Sequence, residues 1–291
     1  MSDGFLIVDK DPGMTSHDVV AIARKALSTR KVGHAGTLDP MATGVLVLGF
    51  GNGTRLLQYI TDGDKSYQAT IVLGASTVTD DHEGEVLSRT DASSVTDQEI
   101  STILDSMVGT ISQRPSSVSA VKVDGERAYD RVRAGEVFEL AARTITISSL
   151  EILEIRRIGE YIEVDIDVTC SAGTFIRAIA RDLGNVLKVG GHLNALRRTR
   201  VAGFALDVAT SVGDLKSKNF QVLGLTDVAR RTFPARDLTQ EEVRELSFGR
   251  SLSPSVVTEI VAGISQENQL IALLKNEADK AKPVAVFAAA H

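Results

Sequence analysis

The chain has 291 residues but only one cysteine and no tryptophan. With Cys170 alone an internal disulfide bond is impossible, as expected in a reducing compartment. No apolar stretch approaches the length that crosses a bilayer. The first residues lack the basic region, apolar stretch and small-residue cleavage site of a secretory signal. These absences predict a cytoplasmic protein, and the lack of a Cys and His cluster with zinc spacing predicts no zinc site.

Positive charge is outnumbered, because 32 Lys and Arg stand against 38 Asp and Glu and give a formal net charge of -6 at pH 7. As an average, this charge argues against nucleic-acid binding. The basic residues are concentrated between Ser171 and Arg200, however, where Asp182 is the single acid among Arg177, Arg181, Lys188, Arg197, Arg198 and Arg200. An acidic protein can present one basic surface to phosphates. The alternative, that this run is ordinary solvated surface, stays open.

Hydrophobic patterning predicts strands and helices that do not alternate regularly, so we expect an α+β fold with a mostly antiparallel sheet. Strict alternation over one segment predicts a half-exposed strand. That segment is Tyr161–Cys170, and the other predicted strands are Phe5–Asp9, Val45–Phe50, Tyr67–Leu73, Thr144–Ile155 and His192–Val201. Helices are predicted from a Ser16 cap to Leu27, after a Thr96 cap, and over Gly173–Leu187.

Three regions depart from this pattern. Residues 114–143 have little apolar periodicity, which predicts an excursion from the core. Gly74–Glu85 is a polar, acidic loop in which Asp80 and Asp81 are expected to be solvated. After about residue 230, short segments separated by Pro and Gly predict a small β-rich domain over 231–291, with strands at Gln269–Lys275 and Pro283–Ala288. The main domain would then be 1–230.

The most informative segment is the loop Gly33–Gly44, with the sequence GHAGTLDPMATG. Glycines permit unusual backbone angles and the close approach of a ligand. Pro40 biases the preceding Asp39 towards an extended conformation. A buried strand, Val45–Phe50, follows at once. The pattern predicts an acid presented at the edge of the core, although an Asp before Pro can also be an ordinary turn residue.

This loop closely resembles the catalytic motif of the bacterial TruB-type tRNA pseudouridine synthases, which isomerise uridine 55 in the T-loop of tRNA. Other segments resemble motifs of that family in the same order along the chain. They are Leu6–Lys10 with Pro12–Ser16, Asp64–Tyr67, Ser119–Lys122 with Gly125 and Tyr129, Cys170–Arg177 with Asp182–Gly184, and Leu196–Thr199. The resemblance runs from about Phe5 to about Arg236.

The resemblance implies a pseudouridine synthase fold, in which a mostly antiparallel mixed central sheet is flanked by helices. Residues 114–143 would form an RNA-clamping insertion, and 231–291 a reduced PUA-like module. The family's reaction breaks the bond from ribose C1′ to uracil N1 and rejoins the base through C5, without a change of oxidation state. We therefore expect no cofactor and no metal, tRNA as the partner, no membrane association, and a monomer.

Three catalytic residues are implied by the resemblance. Asp39 is expected to be the catalytic carboxylate, and Arg177 to pair with it and keep it ionised. Tyr67 is expected to stack on the target base and to relay a proton. The residues alone leave other interpretations open. Arg177 and Arg181 could be two surface arginines, or one of them could pair with Asp182 or Asp165. Tyr67 could be ordinary strand packing.

Substrate-binding residues are implied in the same way. A uridine in a folded T-loop must be extruded before it can react. His34 is expected to stack in the space that it leaves, and Leu196 to line the pocket beneath the uracil. Further RNA contacts are expected from Lys10, Arg55, Lys122, Tyr129 and Arg181, with Arg127, Arg131 and Arg133 as candidate phosphate contacts.

Two rival functions stay open. A non-catalytic RNA chaperone of the same fold would open and refold tRNA, and this activity is compatible with catalysis. A metal-dependent phosphohydrolase would use Asp39 with Asp80 and Asp81 and would require a divalent ion, although no histidine has ligand spacing with these acids.

Overall fold

A computed structural model of the chain describes residues 3–116, 122–123, 126–127 and 140–287. The chain divides into two compact units. The first unit comprises Met1–Asp39, Val45–Thr61 and Val201–His291, and the second comprises Pro40–Gly44 and Asp62–Arg200.

Much of the predicted RNA-clamping insertion lies outside the described residues. Tyr129, Arg131 and Arg133 are among the residues not described, and Lys122 and Arg127 are described only as members of two short paired strands. The contacts expected of these side chains therefore stay predictions.

The strands are numbered in chain order. They are β1 (Gly4–Lys10), β2 (Val32–His34), β3 (Thr43–Phe50), β4 (Lys65–Leu73), β5 (Ala75–Thr77), β6 (Val86–Arg89), β7 (Gly109–Gln113), β8 (Lys122–Val123), β9 (Glu126–Arg127), β10 (Arg143–Ile158), β11 (Tyr161–Cys170), β12 (Gly191–Val201), β13 (Phe204–Ala205), β14 (Thr210–Ser211), β15 (Ala235–Asp237), β16 (Val261–Ile264), β17 (Leu270–Glu277) and β18 (Lys280–Val286).

The α-helices are numbered in the same way. They are α1 (Ser16–Leu27), α2 (Leu57–Thr61), α3 (Asp97–Ser106), α4 (Ile176–Val186), α5 (Val212–Ser217), α6 (Leu225–Thr232) and α7 (Gln240–Ser247).

The first unit is organised around strand β1, which lies between β14 and β3. The pairing of β1 with β14 is parallel, and β2 pairs antiparallel with β3 from Val32 opposite Phe50. Helix α1 packs on these strands through its buried stripe. The cluster contains Leu6, Val8, Val19, Val20, Ala23, Leu46, Leu48, Val212 and Leu215. Burial of this stripe, at helical spacing, is what the sequence pattern of α1 predicts.

The C-terminal strands form a separate sheet in the order β15–β16–β17–β18. Its residues contribute to two buried clusters. One is local and includes Leu246 of α7, and the other joins Ile264 and Leu273 to Phe5 and Ile7 of β1. Residues on both sides of position 230 therefore share a core. That 231–291 is a separate domain stays a prediction.

In the second unit, five strands lie in the order β12–β4–β11–β10–β7. The pairs β4–β11, β11–β10 and β10–β7 are antiparallel. Along β11, Ile162, Val164, Ile166 and Val168 are fully buried, and the residues between them are half-buried. This confirms the half-exposed strand that alternation predicts. Strands, helices and a small C-terminal sheet together confirm the predicted α+β class.

Two predicted helix starts are wrong by one to three residues. Thr15, not Ser16, caps α1, because the Thr15 hydroxyl accepts from the Asp18 N–H while the Asp18 carboxylate accepts from the Thr15 N–H. Helix α4 begins at Ile176 rather than Gly173. Gly173 has a φ of +85°, which lies outside the right-handed helical region. The predicted Thr96 cap of α3 is confirmed, with a reciprocal bond to Glu99.

Candidate active site

The loop that carries Asp39 joins the end of β2 to the start of β3, and Asp39 is half-buried. Its neighbour Leu38 is buried, and so is Ala42. Gly36 has a φ of +85°, a conformation that residues with a Cβ rarely adopt. Apolar side chains thus fasten both halves of the loop to the core, and the carboxylate between them keeps access to solvent.

Helix α1 contacts this loop at two positions. The Ser16 hydroxyl accepts a hydrogen bond from the Leu38 N–H at 2.9 Å and donates one to the Leu38 carbonyl at 3.2 Å. The His17 and His34 rings meet edge to face, with centroids 5.5 Å apart. The start of α1 therefore touches both the residue before Asp39 and the histidine predicted to stack against RNA.

The far end of the loop belongs to the second unit. There Thr43 and Gly44 pair in parallel with Arg197 and Arg198 of β12, and Arg197 donates a hydrogen bond to the Thr43 hydroxyl. A Cβ on Gly44 would stand 2.1 Å from the Arg198 carbonyl oxygen, so this close approach requires glycine. The segment containing Leu196, which is buried, is thereby registered beside the end of the Asp39 loop.

Tyr67 lies on β4 opposite Val168 of β11 and is buried. Two residues earlier, the buried Lys65 donates from Nζ to the Gly63 carbonyl at 2.8 Å. Burial lowers the pKa of the Lys65 ammonium, and the nearby charge of Arg198 lowers it further. Tyr67 thus lies on an inner strand of the sheet, two residues from the buried Lys65.

Arg177 is the second residue of α4, and its side chain is only 7% exposed. Its Nη1 donates to the Thr79 carbonyl at 2.8 Å and lies 3.3 Å from Asp81 Oδ2. The start of α4 is held by Gln113, whose side-chain amide bonds both the N–H and the carbonyl of Phe175. The guanidinium is therefore oriented by contacts that are already present within the second unit.

Arg181, one helical turn after Arg177, has a network of its own. It contacts Asp80 at 3.1 Å and Asp182 at 2.8 Å, and donates to the Arg114 carbonyl at 2.7 Å. These three contacts join α4 to the 79–82 turn and to the residue that follows β7. The phosphate contact predicted for Arg181 stays a prediction.

The expectation that Asp80 and Asp81 are solvated is wrong, because both are buried. Each faces an arginine of α4, and the preceding residues form a short strand, β5, that pairs with β6. Burial raises the pKa of the Asp80 carboxyl above its usual value, and the charges of Arg181 and Arg177 oppose this shift. These acids act as partners of arginine, which is not the arrangement that the phosphohydrolase hypothesis requires.

Two predicted RNA contacts have other partners in the structure. Lys10 is fully buried, and its Nζ donates to the carbonyls of Asp11 and Met14. The Arg55 guanidinium lies over the Phe287 ring at 4.8 Å and donates to the Val286 carbonyl. Their roles in RNA binding stay predictions, and the observed contacts give both residues a part in holding the first unit together.

Sequence reasoning missed the contacts that support the Asp39 loop and helix α4. They are made by Ser16, Gln113, Asp80 and Asp81. Ser16 lies inside a motif that resembles the family's, but its partner Leu38 cannot be read from spacing. Gln113 had no signal at all. Among the described residues, no three His, Cys, Asp or Glu side chains are arranged to hold a metal ion.

Comparison with known families matches the N-terminal domain of the TruB family pseudouridylate synthases to residues 24–176, more than half of the chain. The chain belongs to the TruB family. Two further family domains match segments after residue 176. They are the C-terminal domain of tRNA pseudouridylate synthase B over residues 177–222 and the C-terminal domain of tRNA pseudouridine synthase II over residues 233–288. The resemblance found in the motifs is thereby confirmed.

TruB-family relatives match nearly the whole chain. The tRNA pseudouridine synthase B of Rhodococcus jostii is 51% identical, over 97% of this chain and 93% of its own length. That of Corynebacterium efficiens is 48% identical, over 98% of this chain and 96% of its own. Identity at this level over full length makes the chain an enzyme of the pseudouridine synthase class.

Solved structures agree on the fold. A chain of a Cbf5–Nop10–Gar1 complex has a TM-score of 0.74 at 25% identity, covering 99% of this chain and 85% of its own length. A chain of an H/ACA ribonucleoprotein bound to a substrate RNA containing 2′-deoxyuridine has a TM-score of 0.73 at 23% identity, covering 99% of this chain and 86% of its own. These matches confirm the pseudouridine synthase fold. None of the helices in the described part of the TruB-family chain is long and apolar enough to span a membrane.

Proposed function

We propose that this TruB-family chain converts uridine 55 in the T-loop of tRNA to pseudouridine. The observation that carries the proposal is Asp39, a half-buried carboxylate held in a loop whose two flanks are fixed. The family membership and the printed names of its relatives support the substrate class. We further propose that it acts as a cytoplasmic monomer, without metal or coenzyme.

The reaction is an isomerisation in which the C1′–N1 bond breaks and a C1′–C5 bond forms. In net terms a proton leaves C5 and N1 gains one, so atoms and electrons balance without a second substrate. Such a reaction requires a group that stabilises or traps the separating fragments and a pocket that retains the free uracil. We assign the first task to the carboxylate of Asp39, since carboxylates can serve as covalent catalysts.

Arg177 and Tyr67 are proposed as the partners of Asp39 in catalysis. A guanidinium stabilises the ionised form of a carboxylate that it contacts. The support here is that the Arg177 side chain is buried and oriented, with Thr79 and Asp81 on one of its nitrogens. Tyr67 is proposed to stack on the uracil and to relay the proton, and its place on the central strand β4 would keep the ring still.

Binding of the substrate requires that the target uridine leave the T-loop stack. We propose that His34 fills the space left behind and that Leu196 lies beneath the uracil. The electrostatic part of binding is assigned to the basic side chains of the sequence prediction, which position the RNA without reading its bases. Assisting tRNA folding is proposed as a secondary effect of opening the T-loop.

The decisive experiment incubates an unmodified T-stem-loop RNA with the protein in EDTA and detects pseudouridine at position 55. We expect full conversion by the wild type and at least about a thousandfold slower conversion by Asp39→Asn, because the amide removes the nucleophilic charge. A matched RNA with cytidine at position 55 is the control for site choice. Activity that EDTA abolishes, or that Asp39→Asn retains, would contradict the proposal.

The same variant separates catalysis from the chaperone function. Asp39→Asn should still bind the T-stem-loop and should keep any effect on tRNA folding, since these depend on binding and extrusion. If the wild type assists folding but forms no pseudouridine, the chaperone hypothesis replaces this proposal.

A further inference from the structure

The hydroxyl of Ser16 is committed to the Asp39 loop rather than to its own helix. The N-terminal cap of α1 is complete without it, because Thr15 and Asp18 exchange two reciprocal hydrogen bonds. The Ser16 side chain takes no part in this capping box. It instead turns to a residue 22 positions away in the sequence.

The two Ser16 bonds fix the peptide group that leads directly into Asp39. The Leu38 carbonyl belongs to the planar peptide unit that includes the Asp39 N–H. Because one hydroxyl donates to that carbonyl and accepts from the Leu38 N–H, it restrains the backbone on both sides of the Leu38 Cα. Ser16 is 1% exposed and Leu38 is 3% exposed, so water cannot replace these bonds.

The next residue limits how else the chain could adjust. Pro40 follows Asp39 and restricts the backbone angles of that residue. With the preceding peptide held by Ser16 and the following ring in place, Asp39 has little remaining backbone freedom. The Ser16 hydroxyl thereby helps to set the direction of the Asp39 Cα–Cβ bond, although it lies 23 positions away in the sequence.

We propose that Ser16 is a positioning residue for Asp39 in the isomerisation. The proposal rests on the proposed function of this chain. Displacement of a reacting group by about 1 Å can cost about a hundredfold in rate. We therefore expect loss of the Ser16 hydroxyl to slow the chemical step by about 10- to 100-fold, with little change in the affinity for RNA.

The test compares Ser16→Ala with Thr15→Ala, its immediate neighbour. Thr15→Ala removes the cap of the same helix but no bond to Leu38, so it controls for damage to α1. The readouts are the single-turnover rate of pseudouridine formation with enzyme in excess, and the Kd for the T-stem-loop. We expect a 10- to 100-fold lower rate for Ser16→Ala, a rate within about twofold of wild type for Thr15→Ala, and a Kd within about twofold for both.

Ser16→Cys distinguishes the loss of the hydrogen bonds from the loss of side-chain volume at position 16. A thiol fills nearly the same space but is a weak donor and acceptor, so this variant should show the same loss of rate, and it decides the question if Ser16→Ala does not fold. Rates that match the wild type for the folded Ser16 variants, or a loss equal to that of Thr15→Ala, would overturn the inference alone. An inactive wild type would overturn the proposed function and the inference with it.

Discussion

Two backbone segments are restrained by the same pattern of hydrogen bonds, made by different side chains. One is the Asp39 loop of the first unit, and the other is the start of α4, which carries Arg177, in the second unit. In each segment, one polar side chain hydrogen-bonds both the N–H and the carbonyl of a single residue. That residue lies one position before Asp39 in the loop and two positions before Arg177 in the helix. Ser16 does this for Leu38, and Gln113 does it for Phe175. The loop is held by a short serine hydroxyl from helix α1, and the helix start by a longer glutamine amide from strand β7.

The two regions differ in how the chemical side chain itself is treated. Arg177 is buried and already shares a hydrogen bond and an ion pair with Thr79 and Asp81. Asp39 is half-buried on a loop between strands. The guanidinium of Arg177 is therefore part of the framework of the second unit, whereas the described support of Asp39 reaches it through the backbone of Leu38.

The largest expected effect is a difference in the free energy of unfolding between variants of Arg177 and Asp39. Arg177→Ala leaves the Asp81 carboxylate buried without its cation, which should lower the free energy of unfolding by about 3–5 kcal/mol. Asp39→Asn should change it by less than about 1 kcal/mol, because the substitution conserves volume. Urea denaturation followed by circular dichroism measures both. Equal losses of unfolding free energy would show that the two side chains contribute equally to stability and would contradict the comparison.

A smaller effect is expected at Arg181, where a structural and an RNA-binding role predict different results. Arg181→Ala should lower the free energy of unfolding by about 2 kcal/mol, because hydrogen bonds to charged groups are lost. If Arg181 also contacts a phosphate, the variant should show a shallower dependence of RNA affinity on salt. The exposed Arg30 supplies the control, since Arg30→Ala removes the same charge without these bonds.

The loss at Arg181 should also depend on pH in a defined direction. Burial already raises the pKa of the Asp80 carboxyl, and removal of the opposing Arg181 charge raises it further. A raised pKa in the folded state adds stability at low pH that disappears as the pH rises through that value. The difference between wild type and Arg181→Ala should therefore shrink as the pH falls from 7 to about 4. A difference that widened towards pH 4 would contradict this account of Asp80.

The smallest expected effect tests the two hydrogen bonds from Gln113 to Phe175 at the start of α4. Gln113→Ala leaves the N–H and carbonyl of Phe175 without their side-chain partner, at a cost of about 1–2 kcal/mol. The exposed Gln98, which bonds Thr102 on the surface of α3, supplies the control. Gln98→Ala should change the unfolding free energy by no more than about 0.5 kcal/mol. A similar loss of unfolding free energy in both variants would show that the Gln113 hydrogen bonds do not specifically stabilise the start of α4.

Several elements could be predicted because their physical cause is local. The alternation along β11 and the Thr96 cap of α3 are set by neighbouring residues, and both are confirmed. The sequence predicts the cap of α1 one residue late because Thr15 and Ser16 are both good caps, and only the reciprocal bond with Asp18 distinguishes them. The sequence wrongly predicts Asp80 and Asp81 in solvent, because an acidic run carries no local sign of the arginines that face it from α4.

The sequence by itself determined the family and the identity of the predicted acid, because the motif around Asp39 and the order of the other motifs are linear features. Tertiary structure alone decided which side chains hold that acid and its predicted partner in place. The physical reason is that buried backbone N–H and carbonyl groups must find partners after the chain has packed. Those partners, Ser16 for Leu38 and Gln113 for Phe175, are brought close by the fold and share no periodicity with the residues they hold.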